Sequence, residues 1–163
     1  MKMTDHEPRL FESDAAVRRV GEGLLARTLP RGEWTHEAHL ASCLWLLRER
    51  RDIDLPRELP AIIAGYNESV GGRNSDTEGY HETITQAYVR LVGVYLAEHD
   101  RGQRLVELVN ALLASPLGHR DVLLRHYSRE RLFSVAARGG WIEPDLVAFP
   151  PQPAGAAATA ALG

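Results

Sequence analysis

Cysteine is almost missing from this chain of 163 residues, where Cys43 stands alone. A single cysteine forms no internal disulfide, so the fold does not call for an oxidising compartment. A basic surplus is missing too. Nineteen Lys and Arg face 22 Asp and Glu, for a formal net charge of -3. A dedicated nucleic-acid binder usually neutralises phosphates with a clear excess of positive charge, so the balance argues against that class and no nucleic-acid partner is expected. No apolar run approaches the ~18 residues needed to cross a bilayer, which argues against a membrane partner. Residues 1–12 mix Lys2, Asp5, His6, Glu7 and Arg9 and lack the apolar stretch of a signal peptide, so a cytoplasmic location is expected. Also missing are a Gly-rich phosphate loop, a dinucleotide fingerprint and a nucleophile elbow. Neither period-two alternation nor an internal repeat stands out.

What is present is ordinary in amount. Hydrophobic residues make up 44% and charged residues 25%, the balance of a soluble globular domain. The length suits one domain, able to bury roughly two-thirds of its unfolded surface. The pattern is helical throughout. A first helix is expected from Ser13 as N-cap, with Val17, Val20, Gly21, Leu24 and Leu25 on one face, stopped by Pro30 to Gly32. A second is expected from Thr35 to about Arg50, with Leu40, Leu44 and Leu47 inward and a stripe wide enough to make it central. Asp54 and Pro56 open a third, which Gly71 and Gly72 close. Thr77 or Asp76 is read as the cap of a fourth, running to about Glu98. A fifth spans about Gln103 to Ala114. Short helices follow near Asp121–Tyr127 and Ser134–Arg138, and Trp141 to Pro144 reads as an extended segment lying on the bundle. The expected fold class is all-α, a single-domain helical bundle of about five main helices with short C-terminal helices. Residues 1–12 are expected to be a flexible N-terminus, 13–149 the helical domain, and 150–163 a disordered Pro/Ala-rich tail.

Two segments carry candidate chemistry, each opening a long helix: Trp34-Thr35-His36-Glu37-Ala38-His39-Leu40 and Gly79-Tyr80-His81-Glu82-Thr83-Ile84-Thr85. His36 and His39 are three apart and share a helical face. His81 shares a stripe with Thr85, Tyr88, Val92 and Tyr95. Alternate helices of an up-down bundle run parallel, so the two N-terminal ends are expected at the same end. His36, His39 and His81 would then converge. Three readings follow. The set could ligate a divalent transition metal, for which imidazole is a good donor. It could work without metal, His81 serving as general acid or base beside Glu82 and Tyr80. It could be structural, capping helices and bonding internally. The spacing of His36 and His39 is one residue short of the zincin helix, and no Glu-x-x-His repeat is present.

Other candidates are weaker. Cys43 reads as a small core residue. Arg125, Arg129, Arg131 and Arg138 form a basic patch that offers either an anion site or a solvated face. The two histidine segments, together with the run from His126-Tyr127-Ser128-Arg129 through Trp141-Ile142-Glu143-Pro144, resemble a group of small bacterial helical proteins of uncharacterised function. The resemblance covers about residues 34–147. It implies a helical single domain, points to the same His36, His39, His81 and Glu82, and supplies no reaction.

The expected function is that of a small soluble enzyme acting on a small molecule through these histidines. The alternative is a non-catalytic helical module that binds one. A third reading has the Trp141 segment dock a protein partner. The sequence leaves room for a homo-oligomer.

Overall fold

The computed structural model describes residues 7–152, and among these it is all-α, with no strand. Helix α1, Asp14–Ala26, starts where the Ser13 hydroxyl accepts the Ala16 N–H at 3.1 Å. It ends at Arg27, whose left-handed φ of 59° turns the chain out of the helix. Helix α2, His36–Glu49, is capped by Thr35, whose hydroxyl accepts from Ala38 at 3.2 Å. Nearly every residue from Glu37 to Leu46 is buried, and α2 packs on α1, on α4 (Glu82–His99) and on α5 (Leu105–Ala114). Gly21 lets α1 come close to α2. A Cβ there would overlap the Trp45 indole.

Helix α3, Leu55–Ser69, carries Pro60 in its interior. Proline has no N–H to give the carbonyl of residue 56. The Gln86 side-chain amide, on α4, takes that place and donates to the Pro56 carbonyl at 2.7 Å. The helix thus keeps an interior proline because a neighbour satisfies the carbonyl it would orphan.

The last third is a series of short capped turns. A 3₁₀ turn covers Pro116–Gly118 and another Val122–Arg125. Ser128 caps α6, Arg129–Leu132, and Ser134 caps α7, Val135–Gly139. The chain from Trp141 to Phe149 then lies back over the bundle. The Tyr127 hydroxyl donates to the Ile142 carbonyl at 2.7 Å, and His126 Nδ1 donates to the Val147 carbonyl at 2.8 Å. The Arg90 guanidinium sits 4.2 Å over the Trp141 ring, and the indole N–H donates to Glu143. Trp141 is therefore half-buried and engaged, which removes it as a free docking side chain.

At the other terminus, part of the segment expected to be flexible is held. The Asn110 amide bonds both the N–H and the carbonyl of Phe11, at 2.9 and 3.0 Å. Residues 1–6 and 153–163, with most of the expected tail, lie outside the described residues. No described helix is long and apolar enough to cross a membrane.

Candidate functional site

The structure separates the three histidines by role. His81 is not the first inward residue of α4. It is the N-cap, with extended backbone at φ -130° and ψ 109°. A cap residue does not follow the helical stripe, so its ring turns back on the first turn instead of facing Tyr88. Its Nδ1 accepts the Ile84 N–H at 3.1 Å. Its Nε2 lies 2.8 Å from the Leu132 carbonyl, which can only accept, so Nε2 carries the proton. Both nitrogens of this buried ring are therefore committed to holding α4 and α6 together. Burial pushes the His81 pKa down, opposed by the Leu132 bond. Tyr80 and Glu82 bond to each other, hydroxyl to carboxylate, at 3.2 Å. Burial first, and the Glu82 charge next, raise the Tyr80 pKa. The neighbouring Thr83 hydroxyl donates to the Gly140 carbonyl at 2.7 Å and accepts the Ile142 N–H at 3.2 Å. This segment is thus a clasp for the C-terminal chain.

The start of α2 is different. His36 Nε2 donates to the Gly118 carbonyl at 2.9 Å, and its ring meets the edge of Tyr88 at 6.3 Å between centroids. Tyr88 lies seven residues beyond the cap of α4, roughly 10 Å along the helix axis. His36 thus meets α4 about two turns in from its cap. Among the described residues no group of three or more His, Cys, Asp or Glu is placed to hold a metal ion. The expected metal set of His36, His39 and His81 is therefore not found as a group among them.

His36 and His39 instead share a cleft of about 340 Å³ with residues of α3, α4 and the 119–133 region. Buried Leu40, Leu59, Ile63, Leu123 and Leu132 give it an apolar floor. Exposed His39, Arg120, Arg129 and Phe133 stand at its mouth. None of Tyr80, His81 and Glu82 lines it.

His39 stacks on the Trp34 indole, with centroids 3.8 Å apart and planes at 28°. Neither ring nitrogen has a hydrogen bond among the described residues. Desolvation pushes its pKa down to about 4, and the nearby His36 charge adds to this. Solvent on the outer side of the ring works against that shift, but the direction keeps the ring neutral at pH 7. A neutral imidazole with a free lone pair facing a cavity can accept a proton.

Tyr88 adds a hydroxyl with no hydrogen-bond partner among the described residues. Burial first, and the Asp121 charge second, push its pKa up to about 12. It stays protonated and can donate to a ligand oxygen. Cys43 also borders the cleft, but burial raises its thiol pKa to about 12, which keeps it a neutral wall residue. Glu37 faces elsewhere. It is buried and accepts from the Arg9 N–H at 3.4 Å. Burial raises its pKa, but backbone N–H bonds and the His36 and Arg120 charges outweigh that and hold it low.

The chain matches no family model, no curated protein and no solved structure.

The cleft thus brings His36 and His39 together with Arg129, one of the expected basic patch, and with Tyr88, Arg120 and Asp121, which the sequence reading did not single out as site residues. A second depression, on the outer face of α1 between Arg18, Arg19 and Glu22, is open and shallow and has no histidine, cysteine or aromatic lining.

Proposed function

We propose that the cleft binds a small organic molecule and that the protein is an enzyme transferring a proton on it. His39 is the base, and the Tyr88 hydroxyl hydrogen-bonds the ligand oxygen on which charge develops. The observation that carries this reading is the His39 ring itself. It makes no hydrogen bond among the described residues, and it stacks on Trp34 at the mouth of an apolar cavity. The volume lies at the lower end of the ~300–1,000 Å³ usual for ligand pockets, so the ligand is small and mainly apolar.

A step of this kind removes a proton from carbon beside a carbonyl. The base holds the proton while Tyr88 donates to the enolate oxygen, and a solvent-derived proton then returns to carbon. The reaction can be followed without knowing the natural substrate. Apolar ketones and oxo acids, with benzylacetone and phenylpyruvate as representatives, are incubated with the protein in D₂O. Deuterium entry is read by NMR. Wild type should accelerate exchange for at least one compound that perturbs cleft resonances, and His39→Gln should slow it about 10²–10⁴-fold. If every compound that enters the cleft exchanges at the buffer rate, the apolar floor serves binding alone. The second reading, a non-catalytic module, then takes over.

A further inference from the structure

We infer that the ligand of the cleft carries one negative charge, a carboxylate, seated on the Arg129 guanidinium with Arg120 beside it. This rests on the cleft being a ligand site and adds the chemistry of the head group. Arg18, Arg19, Arg48 and Arg50 each have a carboxylate partner, in Glu49, Glu33, Asp100 and Asp52. Arg120 and Arg129 have neither an ion pair nor a side-chain hydrogen bond among the described residues. Arg120 contributes only a weak charge interaction with Glu37. Of the four arginines in the C-terminal basic patch, Arg131 is spent on the Glu143 carbonyl and Arg138 on the Gly79 carbonyl, and Arg125 is not part of the cleft lining. Arg129 is the one that reaches the cavity.

A guanidinium offers a planar fork that matches a carboxylate and stays charged at any working pH. Beside an apolar floor its attraction for an anion is less screened than in bulk water. Asp121 lines the same cavity, and its charge is felt at the Tyr88 hydroxyl. A negative side chain there penalises each additional negative charge on the ligand. That favours a carboxylate over a phosphate monoester, which carries about -1.5 to -2 at neutral pH. An apolar body on the leucine floor, with a carboxylate at the arginines, satisfies both halves of the cleft.

The test titrates the full chain with hydrocinnamate, with its neutral amide and with phenethyl phosphate, following backbone and histidine resonances by NMR. Wild type, Arg129→Gln, Arg120→Gln/Arg129→Gln and a control, Arg57→Gln, are compared. Arg57 is exposed on α3 and outside the cleft. Hydrocinnamate should bind at least about tenfold more tightly than the amide. The double variant should erase that difference, and Arg57→Gln should keep it. Added salt should weaken the acid and leave the amide unchanged. An amide that binds as well as the acid, or an acid indifferent to both arginines, overturns the carboxylate assignment and leaves the cleft as a site. A phosphate that binds more tightly than the acid overturns the single-charge assignment. If none of the three perturbs the cleft at concentrations near their solubility, both this inference and the ligand site fall.

Discussion

Replacing His81 by alanine removes two bonds at once. The Ile84 N–H loses its cap acceptor at 3.1 Å, and the Leu132 carbonyl loses its donor at 2.8 Å. Losing a helix N-cap costs about 0.5–2 kcal/mol. Leaving a buried carbonyl unsatisfied costs about 1–3 kcal/mol. The ring is 7% exposed, so little water is at hand to replace either partner. The expected loss is about 2–4 kcal/mol. At ~2–4 °C per kcal/mol for a chain of this size, the thermal midpoint should fall by ~5–15 °C. Asparagine supplies a cap oxygen but cannot span to α6, so His81→Asn should lose about half as much. The assay is urea unfolding by far-UV circular dichroism at pH 7.5, above the titration of the ring. His81→Ala within about 0.5 kcal/mol of wild type would refute the clasp.

The structure also sets four further outcomes. Gly21→Ala should cost about 1–3 kcal/mol by thermal unfolding, because the new methyl meets the Trp45 ring. Gly65→Ala should cost less, because there the obstacle is the movable end of Arg27. The pKa values of His39 and His81 lie below the free value of 6.5, so the unfolded chain takes up protons first as pH falls. Stability should therefore hold from pH 8 to about 6.5 and decline from there toward pH 4.5, before the carboxylates respond. A flat urea midpoint across that window contradicts two neutral histidines. Cys43, with its thiol pKa raised to about 12, should resist iodoacetamide at pH 7.5 in the native protein and react once urea unfolds it. Equal labelling rates in the two states would contradict its burial.

The helices were legible because their signals are local. Ser13 and Thr35 announce their caps in the chain, and both hydroxyls make the expected bonds. Leu40, Leu44 and the neighbours that make α2 central follow from a stripe of adjacent residues. The start of α4 was misplaced because Thr77 and Asp76 are better capping types than histidine. The cap fell to His81 because Leu132, 51 residues away, holds its other nitrogen. The same long-range bond occupies the nitrogen that the expected acid–base role of His81 would use. Pro60 inside α3 had no local explanation, because Gln86 resolves it from another helix. The cleft was hidden for the same reason. Leu59, Tyr88, Leu123 and Arg129 come from four separate stretches, and no spacing rule joins them. The stack of Trp34 on His39 is the exception. It spans five residues across a helix start, and a tryptophan just before a capped histidine pair was the signal that could have set His39 apart from His36.

The proposed base is His39, which stands at the mouth of the cleft. The most direct test follows the histidine ring resonances by NMR from pH 3 to 9, with and without a saturating cleft ligand. His39 should titrate below the ordinary 6.5. Its ring signals should shift when the cleft fills, and those of His99, at the far end of α4 and outside the cleft lining, should not. A His39 that titrates at or above 6.5, or whose ring is indifferent to every compound that reaches Tyr88 and Leu123, would contradict the account.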